Sequence, residues 1–175
     1  MKKIFTVALV SSLISMPAFA ADQGLYVSAD MQTYSLTNIG TATSPSAGFR
    51  IGGGYRFTPN IAAEVGYAKS GNGTAGGQSY NVSAMQVSAV GTYPINGSFD
   101  VIGKLGASSN KLEGPAIAGC TTCSKSDLMY GVGAQYKINQ NFAVRLQYES
   151  IGKVESTATS PASATNFSFG GIYNF

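Results

Sequence analysis

Apolar and polar residues alternate through most of this chain with a period of two, not 3.6, and period two is the signature of β-strands with two different faces. Over 24–36, Leu25, Val27, Ala29 and Met31 share one face and Tyr26, Ser28, Asp30 and Gln32 the other. The stretch 47–57 sets Phe49, Ile51, Gly53, Tyr55 and Phe57 against Arg50, Gly52, Gly54 and Arg56. The same reading predicts strands over 61–69, 80–93, 99–109, 128–138 and 142–152. An eighth strand is the C-terminal segment, where Phe167, Phe169, Gly171, Tyr173 and Phe175 share one parity. Each alternating segment is about as long as the roughly 9–11 residues a tilted strand needs to cross hydrocarbon.

The connections alternate too. Short turns are expected at 58–60, 94–98 and 139–141; long segments rich in Gly, Ser, Thr and Ala lie near 37–46, 70–79, 110–126 and 154–164. Short turns on one side and long loops on the other are the layout of bacterial outer-membrane barrels, with the short turns and both termini in the periplasm. Phe57, Tyr93, Phe99, Ile138, Phe142, Tyr173 and Phe175 fall at strand ends on the short-turn side, a depth that amphipathic rings favour. The predicted fold is therefore all-β: an eight-stranded antiparallel up-and-down transmembrane β-barrel.

The N-terminus follows a different rule. Lys2 and Lys3 precede an apolar run over 4–16, and Pro17-Ala18-Phe19-Ala20 places small residues three apart. This is the layout of a secretory signal peptide over 1–20, leaving 21–175 as the barrel. Without Lys2 and Lys3, nine basic residues stand against eight acidic ones. That balance, with no basic run elsewhere, excludes a nucleic-acid footprint. Charged residues are only 11% of the chain and glycines number 22, a composition that suits lipid-facing strands better than a soluble surface.

Most of the few charges fall on the polar parity: Asp30, Arg50, Arg56, Glu64, Asp100, Lys104, Lys137, Arg145 and Glu149. Inside a narrow barrel they must pair, because an isolated buried charge is costly. We expect an interior charge network of Arg50, Glu64, Lys104, Arg145 and Glu149, joined by Gln86. It reads either as a structural polar plug or as a narrow ion path. Inward glycines (Gly52, Gly54, Gly66, Gly106, Gly131, Gly133, Gly170) either leave water-filled pockets or allow the sheet to curl tightly.

Other motifs carry less chemistry. Cys120 and Cys123 fall in the third long loop, without a second cysteine pair and in a chain with no histidine. That argues against zinc and, in an exported protein, for a loop disulfide. Gly71-Asn72-Gly73-Thr74-Ala75-Gly76 fits a dinucleotide fingerprint, but no helix follows and it reads as loop. The absence of histidine also removes the usual base of outer-membrane hydrolases and acyltransferases, so no enzyme and no cofactor is expected.

Three stretches, Gly24-Leu25-Tyr26-Val27-Ser28-Ala29-Asp30, residues 47–57, and Tyr148-Glu149-Ser150-Ile151-Gly152-Lys153-Val154, resemble the opacity-type and OmpA-like small outer-membrane β-barrels, the neisserial surface-protein type among them. The resemblance covers the whole of 21–175 in layout and these stretches in residues. It implies a non-enzymatic barrel in the outer membrane of a Gram-negative bacterium, surface-exposed and in some members adhesive. The peptidoglycan-binding domain of full-length OmpA-like proteins has no counterpart after the eighth strand, so no cell-wall anchoring is expected. The expected partners are outer-membrane lipid and lipopolysaccharide, the barrel assembly machinery through the terminal Phe175, and an extracellular ligand on the long loops. The alternative function is a narrow pore for ions or small solutes.

Overall fold

The computed structural model describes residues 23–37, 46–71, 73–75, 78–117, 120–155 and 162–175. The strands are β1 (Gly24–Thr37), β2 (Ser46–Thr58), β3 (Ile61–Ser70), β4 (Gly73–Ala75), β5 (Gln78–Pro94), β6 (Phe99–Ile117), β7 (Cys120–Lys137), β8 (Phe142–Glu155) and β9 (Ala162–Asn174). Eight of them close an antiparallel barrel in the order β1-β2-β3-β5-β6-β7-β8-β9, with β9 returning to β1. The short β4 pairs only with the start of β5. At the seam, Tyr26 lies opposite Asn174, and the Phe175 amide donates to the Leu25 carbonyl.

The short turns repeat one device. Asn96 Oδ1 accepts the Ser98 and Phe99 amides, and Asn139 Oδ1 accepts the Asn141 and Phe142 amides. Both turns have the form Ile-Asn-x-x-Phe, and in each the Ile amide donates to the Phe carbonyl at 2.9 Å. An Asn side chain bonding backbone two residues on stabilises such a turn without needing glycine. The third turn uses Thr58 Oγ1 for the Asn60 and Ile61 amides, next to a register shift between Arg56 and Thr58.

The outward faces form one apolar belt. Its upper edge can be followed by register: Met31 opposite Phe49 and Phe169, Tyr67 opposite Met85, Ala107 opposite Leu128, and Tyr148 opposite Phe167. The next outward residues are polar or small: Thr33, Ala47, Lys69, Ser83, Ser109, Ser126, Ser150 and Thr165. In β5 the belt runs from Met85 to Tyr93. That is about 20 Å along the barrel axis at the usual tilt, close to the roughly 25 Å apolar band of outer-membrane barrels. Met31 is 77% exposed and Phe169 54%. Only lipid accommodates a continuous apolar exterior of this size.

Two expectations are corrected. The segment 110–126 is not an irregular loop: β6 runs to Ile117, β7 starts at Cys120, and Ser109 through Glu113 stay in ladder with Ser126 through Thr122. Cys120 and Cys123 therefore stand in a strand rather than a loop, and their side chains lie outside the described residues. Likewise 70–79 contains a small ladder, Gly73 through Ala75 against Tyr80 through Gln78. The reason is physical: every backbone amide and carbonyl needs a partner, and two segments leaving adjacent strands supply them to each other. The expected signal peptide, 1–20, lies outside the described residues.

Candidate functional site: the barrel interior

The inward parity of each strand meets at the axis. Midway along it, six charged side chains form one chain of alternating sign: Asp30, Arg50, Glu149, Lys104, Glu64 and Arg145. Arg50 Nε reaches Asp30 Oδ2 at 2.9 Å, and its Nη1 reaches Glu149 Oε2 at 2.7 Å. Lys104 Nζ lies 3.2 Å from Glu149 Oε1 and 3.0 Å from Glu64 Oε2. Arg145 closes the chain on Glu64 Oε1. All six are buried, and three carboxylates balance three cations.

Neutral groups complete the set. Tyr26 Oη donates to Glu64 at 2.8 Å, Arg145 donates to Gln135 Oε1, and Arg50 donates to Gln86 Oε1 and Ser168 Oγ at 3.4 Å. Arg50, Glu64, Lys104, Arg145 and Glu149 thus come together, with Gln86 at the edge. Asp30, Tyr26 and Gln135 also belong to the network and were not in the predicted set. The Asp30 link follows from register, since Asp30 lies directly opposite Arg50 on the neighbouring strand. Tyr26 follows from the close approach of its ring to Gly54, where a Cβ would meet the ring carbons and hydroxyl.

The ionic layer lies between two apolar ones. Toward the short turns, Ala62, Val90, Ile102, Ala143 and Ile172 cluster with the Tyr26 ring. Toward the long hairpins, Tyr34, Met129 and Ile151 cluster. Beyond the first layer, Lys137 pairs with Asp100 at 3.0 Å, and the Arg56 guanidinium lies 5.6 Å from the Tyr26 ring centre. The described cavity inside the ionic layer, bordered by Arg50, Glu64, Gln86 and Lys104, has a volume of about 10 Å³. That is room for about one water.

Most inward glycines do not open pockets, although Gly52 and Gly66 border the small cavity. A Cβ on Gly106 would overlap the Val87 carbonyl and the Ser88 Cα, and one on Gly170 would overlap the Ala29 carbonyl and Asp30. Adjacent backbone fills the space, which is the requirement of a tightly curled sheet. Among the described residues, no group of three or more His, Cys, Asp or Glu side chains converges as a metal site.

Residues 6–175 match the profile of the outer membrane protein beta-barrel domain. The chain belongs to this family. No match is found among curated proteins. Among solved structures, the chain is similar to neisserial surface protein A, at 19% identity and a TM-score of 0.67, with 87% of this chain and 97% of that one covered. It is also similar to the attachment invasion locus protein Ail of Yersinia pestis in complex with the heparin analogue sucrose octasulfate. There the identity is 20% and the TM-score 0.63, over 88% of this chain and 99% of that one. OprG of Pseudomonas aeruginosa matches at 11% identity and a TM-score of 0.57, over 90% and 98% of the two chains. At these identities the likeness is one of fold: a small outer-membrane barrel.

Proposed function

We propose that this outer-membrane barrel is a closed, non-enzymatic scaffold that displays its long hairpins at the cell surface for adhesion or host interaction. The observation that carries this reading is the filled interior, a charge-balanced chain between two apolar layers with a cavity of about 10 Å³. A barrel so packed holds shape without needing a lumen, which leaves its hairpins as the variable surface. From the belt edge at Ser109, β6 continues to Ile117, about 25 Å along the strand at its usual rise. The Yersinia barrel solved in complex with a heparin analogue is a precedent in fold for binding a polyanion. In this reading residues 1–20 direct export, and the terminal Phe175 presents the last strand to the assembly machinery.

The rival reading, a narrow pore for ions or small solutes, has less support, because two apolar constrictions and one ionic layer cross its path. The test is attachment of bacteria expressing the full chain or a variant lacking residues 112–123. Loss of attachment to host cells or matrix, with unchanged amounts in the outer membrane, is expected. Unchanged attachment would count against adhesion through this hairpin.

A further inference from the structure

At the short-turn end the barrel interior opens into a cup of about 370 Å³. Ser98 of the β5–β6 turn, Asn139 and Gln140 of the β7–β8 turn, and Asn174 of β9 line it, with Arg56 of β2 and Lys137 of β7 as its cations. No carboxylate lines it among the described residues. Arg56 stands apart from the other interior cations. Arg50, Lys104, Lys137 and Arg145 each hold a carboxylate. Arg56 is only 8% exposed, yet it has neither a carboxylate nor a hydrogen-bond acceptor among the described residues. Its guanidinium lies 5.6 Å from the centre of the Tyr26 ring, and that ring is fixed by its hydroxyl on Glu64. A ring face offsets the charge but leaves the five N–H donors without an acceptor oxygen. The β2–β3 ladder shifts register between Arg56 and Thr58, the kind of irregularity that re-aims a side chain.

We infer that this cup binds a small polyhydroxylated oxyanion, a sugar phosphate or a sugar acid, with the oxyanion on Arg56. A nearly buried guanidinium without an acceptor is costly, and its planar fork fits a phosphate or a carboxylate with two parallel hydrogen bonds. Lys137 already holds Asp100, so Arg56 carries the recognition and Lys137 adds only its charge at the rim. The rest of the lining selects the body of the ligand. Asn139 Oδ1 is committed to the Asn141 and Phe142 amides, which leaves its Nδ2 to donate. The Ser98 hydroxyl and the Gln140 side-chain amide have no partner among the described residues. Such neutral donors and acceptors match sugar hydroxyls, and the volume exceeds what a bare phosphate fills. The cup lies on the inward side of the sheet at an aqueous end, which in barrels of this layout is the periplasmic one, so its occupant is a dissolved solute rather than a lipid. The inference is independent of what the long hairpins bind.

The test is a chemical-shift titration of the protein extracted from the outer membranes of expressing cells into a nonionic detergent. The probes are glucose 1-phosphate, glucuronate, glucose and inorganic phosphate, read at the Arg56 side-chain N–H and the Ser98 amide. Saturable shifts are expected with glucose 1-phosphate or glucuronate, and the tighter of the two identifies the oxyanion. Glucose should leave both signals in place, and inorganic phosphate should bind about five-fold more weakly than the tighter sugar ligand. R56Q should weaken binding about ten-fold or more, and R56K, which keeps the charge but loses the fork, about five-fold. S98D offers Arg56 a carboxylate in place of the ligand and should abolish binding while leaving Arg56 and the heat-dependent gel shift intact. If R56Q does not fold, S98D decides alone. No saturable shift with either sugar oxyanion would overturn the inference, as would undiminished binding in S98D or in folded R56Q. Inorganic phosphate binding as tightly as the sugar ligands would reduce the cup to a bare-anion site and overturn it as well.

Discussion

Arg50 and Arg145 are the residues on which the interior depends. Each is buried and each serves carboxylates from other strands: Asp30 and Glu149 for Arg50, Glu64 for Arg145. Replacing Arg50 with Met leaves the buried Asp30 carboxylate without its cation and Glu149 with Lys104 alone, and removing one partner of a buried pair costs about 3–5 kcal/mol. We predict a correspondingly lower urea midpoint for R50M, read by the gel shift, with the fold retained at low denaturant. The glycines give a sharper comparison. G106A and G170A force a methyl into neighbouring backbone, an overpacking that costs about 1–3 kcal/mol. G103A, whose new methyl meets no atom within 4 Å, should stay within about 0.5 kcal/mol of the wild type. Equal losses at all three positions would reject the close-approach explanation. At this scale parity was legible in the sequence, and parity places every interior charge. The partners were less so, because Asp30 meets Arg50 only through a register that no single strand encodes.

At the scale of elements, the strands were legible where one face is lipid and the other is polar. They were not legible where that contrast ends. Above the belt both faces are mostly polar or small, the period disappears, and the β6–β7 ladder nonetheless continues to Glu113 opposite Thr122. Ile102, Val90 and Ile172 were misleading in the opposite sense. They lie on the polar parity and form the inner apolar layer, a layer that a strict polar-inside rule leaves out. The short turns permit a direct test. Asn139 accepts two backbone amides at 2.9 and 2.7 Å, so N139A should cost about 1–2 kcal/mol and slow hairpin closure during refolding. Deleting 112–123 removes ladder that lies above the lipid belt, and should leave the midpoint of unfolding nearly unchanged. A large loss of stability on that deletion would mean that the upper hairpin holds the barrel together rather than projecting from it.

For the whole molecule, the arrangement is a closed barrel with an apolar exterior and an interior that is apolar, ionic and apolar again along its axis. Closure removes sheet edges, lipid covers the outer face, and paired charges make a narrow interior tolerable. The eight-stranded architecture could be read from strand count, turn alternation and the aromatic rim. Whether the interior conducts could not, because that depends on how side chains from five strands (β1, β2, β3, β6 and β8) meet, and the described gap of about 10 Å³ is a property of their packing. The central claim, that the barrel is a closed scaffold, is tested most directly by single-channel recording of the refolded protein, residues 21–175, in a planar bilayer, with folding verified by the gel shift. The account predicts a silent bilayer for the wild type. Discrete conductance steps that change on R145A or E149A would contradict it and identify the ionic chain as a gate.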